Sequence, residues 1–232
     1  MAPMKLLVLD TSTEYCSAAL WLDGRVLAFR VLAEQRHSSL LLPMIEELLR
    51  DGGVTLRQLD GIAYGAGPGS FTGLRIACAV TQGLAFGADL PVVGVSTLES
   101  IAEQARADKV LTVLDARMAE VYWAAYQRED GVWRAVSAPQ LALPESVAVS
   151  PGAGWVGAGN GFAMLGEVLR PRLAAQLERI DETLTPDAAA MAPLAVAAFE
   201  RGEGMDAALA APIYLRDKVA LTVDERRARA NA

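Results

Sequence analysis

Residues 5–26, KLLVLDTSTEYCSAALWLDGRV, have a counterpart at residues 109–133, KVLTVLDARMAEVYWAAYQREDGVW. Each stretch opens on a basic residue, runs through an apolar strand closing on Leu-Asp, and turns over a short polar link into a second strand. An Asp-Gly turn then leads into a third. The period is about a hundred residues, far longer than a solenoid unit, so it marks two related domains. A chain of 232 residues has room for both, and its 53% hydrophobic content supplies a core for each.

The first copy reads as three strands (5–12, 16–22 and 25–34), a helix, a strand (61–67), a helix (70–87), a strand (91–96) and a helix (97–106). Antiparallel strands followed by strands alternating with helices make a mixed sheet with helices on its faces, an α/β architecture. The first helix is expected to start at Ser38 or Ser39 and to end at Asp51-Gly52-Gly53, and Ser70 is expected to cap the second. The second copy is looser. GWVGAGNG (154–161) takes the place of GIAYGAGPG, and a last helix near 186–202 precedes APIYLR. The expected division is therefore residues 1–106, residues 107–216 and a frayed tail, 217–232.

The loop YGAGPGSFTGLR, 64–75, invites a phosphate reading that its details resist. A Walker loop needs a lysine after the glycines, and Gly69 is followed by Ser70-Phe71. The dinucleotide fingerprint needs G-x-G-x-x-G and an acid on the next strand, and PVVGVS has none. The glycines then serve tight turning and close packing, with anion attraction by bare backbone N–H groups as the other reading. A two-metal nuclease needs converging carboxylates, and the strand beside Asp10 offers none. The chain's single histidine, His37, leaves no His-metal cluster and no histidine-based triad beyond itself. The net charge of -7 argues against a chain that grips nucleic acid unaided. Cys16 and Cys78 read as reduced, buried hydrophobes. With no membrane-length apolar run and no signal-peptide pattern, the expected location is the cytoplasm.

Two helices stand out against this thin inventory. The first has apolar residues around more of its circumference than a single sheet-facing stripe requires. The second carries Gly73, Ala77 and Thr81 at i, i+4 and i+8, with Gly83 and Gly87 beyond. Glycine inside a helix costs about 1 kcal/mol against alanine, so each one needs a reason. Burial inside this chain and cover by a partner both satisfy the pattern.

The stretches LVLDTSTEYCSAAL, RHSSLLLPMIEELL, AYGAGPGSFTGLRIACAVTQGLAFG, PVVGVSTLESIA, LDARMAEVYWAAY and PIYLRDKVA resemble the bacterial TsaB (YeaZ) family over nearly the whole chain. The resemblance implies an actin-like ATPase (ASKHA, ribonuclease H-like) fold of two duplicated domains, in line with the repeat. It also implies a role in forming N6-threonylcarbamoyladenosine beside the anticodon of tRNAs that read codons starting with A. In that system TsaB is a degenerate, non-catalytic paralogue that pairs with the catalytic subunit TsaD, and the ATPase TsaE joins them. The paralogue's His-x-x-x-His metal motif falls at Thr97 and Ile101 here, neither a histidine. No catalytic residue, metal or cofactor of the chain's own is expected, while ATP or ADP at the TsaD boundary and contact with tRNA through the complex are.

The family further implies pairing through the first two helices of each N-terminal domain as a four-helix bundle, and a homodimer of TsaB through the same surface in isolation. Here those helices are 38–50 and 70–86. The expected interface is Leu40, Leu41, Met44, Ile45 and Leu48 from the first, with Phe71, Gly73, Leu74, Ala77 and Thr81 from the second. On that reading Leu48→Asp and Ala77→Arg leave the fold intact and abolish pairing, although the sequence does not say which face of the second helix points outward. The rival reading is an actin-like ATPase or phosphotransferase with Asp10, Ser12, Gly67 and Gly69 as its phosphate cradle. Against it stands Asp115-Ala116-Arg117, where a second phosphate loop is expected.

Overall fold

The computed structural model describes residues 4–150 and 152–216. In the first domain β1 (Lys5–Asp10), β2 (Tyr15–Leu22) and β3 (Arg25–Leu32) lead into α1 (His37–Gly52). Then come β4 (Gly61–Gly67), α2 (Phe71–Ala88), β5 (Val92–Ser96) and α3 (Thr97–Gln104). The sheet order is β3-β2-β1-β4-β5, with β1 antiparallel to β2 and parallel to β4. β1 reads as a continuous apolar run because both its faces are covered. Leu7 and Leu9 pack with α1 and α2 on one face, and Leu6 and Val8 point to the other, following the strand period of two.

The second domain repeats this plan with β6 (Lys109–Asp115), β7 (Val121–Glu129), β8 (Val132–Ala142), β9 (Trp155–Ala158) and β10 (Leu177–Asp181), ordered β8-β7-β6-β9-β10. The two sheets share one topology, so the sequence repeat is a repeat of structure. The helices differ. A single 3-10 turn, Pro144–Ser146, stands where α1 stands in the first copy, and the short α4 (Gly161–Met164) and α5 (Gly166–Leu173) follow β9.

The expected boundary at residue 106 does not separate the packing. α3 buries Leu98, Ile101 and Ala102 against Val110, Leu114, Ala124 and Val156 of the second sheet. The last helix, α6 (Ala188–Glu200), returns the other way and buries Met191, Ala192 and Ala195 against Leu6, Val8, Ala63 and Val93 of the first. Met205 then exchanges two backbone hydrogen bonds of 2.9 Å with Val92, and Ala207 and Ala210 join the first core. Residues 188–213 therefore pack with the first sheet although they follow the second in the chain: a covering helix packs where it finds an open apolar face, irrespective of chain order. Each domain supplies the other's cover, and α3 and α6 pack together between them. The tail 217–232 lies outside the described residues. Among the described residues no helix is long and apolar enough to cross a membrane.

Candidate partner interface and interdomain cleft

α1 starts at His37, one residue before the expected serines, and no side chain caps it. Its start is held instead by the His37 ring, whose Nε2 lies 2.9 Å from the Thr13 carbonyl oxygen. Gly53, left-handed with φ 65, closes the other end. Leu41, Met44, Ile45 and Leu48 are all buried in the core of the first domain, and Leu40 is half-buried against it. The face they form belongs to the chain itself. The outer face carries Ser38, Leu42, Glu46, Glu47 and Arg50, with Leu42 45% exposed.

α2 is capped as expected, Ser70 Oγ accepting from the Gly73 N–H at 3.3 Å. Its stripe of small residues faces inward. Gly73, Leu74, Ala77, Thr81 and Ala85 are buried. The Thr11 hydroxyl donates to the Gly73 carbonyl at 2.7 Å, and a Cβ on Gly73 would run into the Thr11 backbone. The small side chains let the helix lie close to its own sheet. Eight of the ten expected interface residues are thus core, leaving Leu40 half-buried and Phe71 exposed. The outer face of α2 carries Thr72, Arg75, Ala79, Gly83, Phe86 and Gly87. Phe86 is 86% exposed. A Cβ on Gly83 or Gly87 would meet nothing within 4 Å. Among the described residues neither glycine has a packing role, yet each costs about 1 kcal/mol of helix stability against alanine.

The glycine loop serves packing at every step. A Cβ on Gly67 would come within 2.7 Å of the Ile213 carbonyl oxygen, and one on Gly69 within 2.6 Å of the Ser12 carbonyl oxygen. The Ser70 N–H donates to that same Ser12 oxygen at 2.7 Å, so the loop is stitched to the turn after β1.

Between the domains lies an open cleft of about 660 Å³. Its first-domain wall comes from Ser12–Glu14, His37 and Gly69–Phe71, and its second-domain wall from Leu114–Met118 and Asn160, with Arg216 at the rim. Of the four residues expected to cradle a phosphate, Ser12 and Gly69 line this cleft and Asp10 and Gly67 do not. Asp10 is fully buried. Its Oδ2 accepts from Ser12 Oγ at 3.0 Å and from the Ser12 N–H at 3.4 Å, while Oδ1 has no partner among the described residues. Burial pushes its carboxyl up to about 7, against the downward pull of the Ser12 hydrogen bonds. Gly65 makes room for it, since a Cβ there would strike Oδ1. The second-domain wall is a turn with three successive left-handed residues, Arg117 (φ 63), Met118 (φ 57) and Ala119 (φ 59). A non-glycine residue costs roughly 1–2 kcal/mol in that region, so the neighbours must hold the turn.

A protein-family model described as TsaD, tRNA N6-adenosine threonylcarbamoyltransferase, matches residues 31–222. An Escherichia coli protein named tRNA threonylcarbamoyladenosine biosynthesis protein TsaB is 41% identical over 225 residues, covering 94% of this chain and 96% of its own. The chain belongs to the TsaB (YeaZ) family. A Haemophilus influenzae TsaB is 36% identical, again over 94% of this chain and 96% of that protein. The solved structure of YeaZ from Pseudomonas aeruginosa superposes with a TM-score of 0.85 at 43% identity, covering 91% of this chain and all of its own. The fold is therefore that of the TsaB (YeaZ) family. In this TsaB-family chain Thr97 and Ile101, the positions expected to stand where the paralogue has its histidines, are interior. Thr97 Oγ1 donates to the Pro68 carbonyl at 2.6 Å, and Ile101 lies in the core beneath the second sheet.

Proposed function

We propose that this chain is a non-catalytic subunit of the machinery that forms threonylcarbamoyladenosine on tRNA. It acts by pairing, through the outer faces of α1 and α2, with a TsaD-type catalytic subunit that TsaE joins. The observation that carries the reading is the outer stripe of α2. Gly83 and Gly87 stand over open space, with Phe86 between them almost fully exposed. Glycines without a packing role inside the chain, beside an exposed aromatic ring, suit close approach by another helix and an anchor that fills a pocket on it. Leu42 is an exposed apolar residue on the outer face of α1. The names of the Escherichia coli and Haemophilus influenzae relatives support the pathway. The net charge of -7 fits a subunit that leaves tRNA phosphates to its partners in the cytoplasm.

Light scattering after size exclusion tests this on the chain alone and mixed with TsaD of the same organism. The expected result is a homodimer replaced by a 1:1 heterodimer. Absence of a complex at micromolar concentrations, with or without ATP or ADP, would overturn it. The rival ATPase reading has the cleft in its favour but lacks a carboxylate there in the expected place, because Asp10 is buried outside the cleft wall. ATP turnover by the chain alone, lost in Asp10→Ala, would revive it.

A further inference from the structure

The chain's last described residues cross from one domain to the other at the mouth of the cleft. On the first-domain side the Tyr64 hydroxyl bonds both to the Ala211 carbonyl (3.1 Å) and to its N–H (2.9 Å). The Ile213 N–H donates to the Ala66 carbonyl at 2.7 Å. Tyr214 packs on Phe71, ring centroids 5.7 Å apart, and the Arg75 guanidinium lies 3.2 Å over the Phe71 ring. Two residues later the chain grips the second domain. Arg216 pairs with the Glu120 carboxylate at 2.7 Å, donates to the Ala116 carbonyl at 3.0 Å and reaches Met118 Sδ at 3.6 Å.

Glu120, Ala116 and Met118 lie in the turn that holds the left-handed residues 117–119, and Tyr122, just beyond it on β7, is a further partner. That turn is closed by its own backbone only through the Ala116 N–H to Glu120 and the Glu120 N–H to Arg117 bonds. The Arg216 side chain is 14% exposed, so its charge–charge contact is shielded from water. It is therefore worth more than a surface pair.

The other links between the domains lie outside the cleft lining: α3 and α6 pack together and each covers the other domain's sheet, the Ser96 and Tyr126 hydroxyls are 3.3 Å apart, Glu103 pairs with Arg128, and Arg179 donates to the Ala105 carbonyl. A contact at the cleft itself, away from these, is what fixes how far its walls stand apart. We infer that residues 211–216 are a latch, with Arg216 as its bolt, that sets the opening of the cleft and braces the turn forming its second-domain wall. This does not rest on the partner reading above, because both ends of the latch are within one chain. Release of the bolt would let the walls move apart without disturbing either core.

The test uses the full chain with spin labels on Arg57→Cys and Glu145→Cys, one on each domain, diluted with unlabelled protein so that only intrachain distances are read. Cys16 and Cys78 are buried and do not compete for label. The parent is expected to give one narrow distance distribution. Arg216→Ala is expected to lengthen the mean and at least double the width, and to speed amide exchange at 116–120 by at least tenfold. Arg216→Lys should restore part of both effects. Glu120→Gln, a milder change at the other end of the same pair, should move both readouts in the same direction. Circular dichroism and an unchanged melting cooperativity establish that each variant folds. An unchanged distance distribution in folded Arg216→Ala would overturn the latch, whether or not exchange in the turn rises. Faster exchange alone would mean that Arg216 braces only its turn.

Discussion

The two domains share a sheet and differ in what they keep outside it. In the first copy the link from β3 to β4 is the sixteen-residue α1, and the link from β4 to β5 is the eighteen-residue α2. In the second copy the corresponding links are a three-residue 3-10 turn and the pair α4 and α5, of four and eight residues. The strands had to be retained in both, because each sheet is half of the interior. Long helices, with Leu42 and Phe86 exposed on their outer faces, stand in only one copy. A fold can lose a covering helix where a loop shields the sheet, but an outer apolar stripe on a retained helix does nothing for its own core. The proposed pairing surface rests on that asymmetry.

The largest effect expected separates the inner face of α1 from the link that replaces it. Leu48→Asp places a charge in the first core and should cost several kcal/mol, enough to abolish cooperative unfolding in a domain of about 5–15 kcal/mol stability. Leu143→Asp, in the link between β8 and β9 and 54% exposed, should move the melting temperature by no more than a few degrees. Equal loss in both would break the contrast.

The next effect compares the aspartates that end β1 and β6. Asp10, raised to about 7, is above its unfolded value of about 3.9, so the folded chain holds a proton that the unfolded chain releases between those pH values. Its contribution is fully present below pH 4 and is lost as pH rises to about 7, a change of up to roughly 4 kcal/mol. Asp10→Asn, which mimics the protonated form, should therefore gain stability over the parent from pH 4 to 7 and hold that gain above it. Urea unfolding at stepped pH reads the difference, and parallel pH curves would show that Asp10 is not the group responsible.

A third comparison sets α2 against α4, which follow equivalent strands. Phe86→Asp or Gly83→Arg should fold normally and weaken pairing with TsaD by ~2–4 kcal/mol, about 30- to 1000-fold. Met164→Asp on α4, 59% exposed, should leave pairing unchanged. The smallest effect is Asp115→Asn. Asp115 pairs with Arg117 at 3.1 Å, and Arg117 is 81% exposed, so the loss should be under about 1 kcal/mol by thermal melting.

Much of the fold could be read in advance. The repeated Leu-Asp strand and Asp-Gly turn marked the duplication and the mixed sheet of the first copy, and Ser70 the start of α2; the strand order and the edge strand β10 came only from the structure. The interface residues were misplaced because periodicity marks a face without marking what covers it. Gly73, Ala77 and Thr81 form a small stripe that suits a second helix or a nearby sheet equally well, and the Thr11 carbonyl decides for the sheet. The signal that was available lay in Gly83 and Gly87, which continue the helix beyond that stripe. The exchange of cover between the two domains was not legible for a related reason. The apolar stripe of α3 and the apolar helix α6 carry no mark of which sheet they will cover.

What the sequence by itself determined is local and repetitive: strand and helix positions, the turns, and the duplication, all consequences of side-chain period and backbone preference. What only the tertiary structure decided is which surfaces remain free. The inward turn of the small stripe, the crossing of α3 and α6, the burial of Asp10 and the grip of Arg216 on the 116–120 turn all depend on contacts between residues distant in the chain. Burial is settled by the sum of such contacts, and a one-dimensional pattern does not contain that sum.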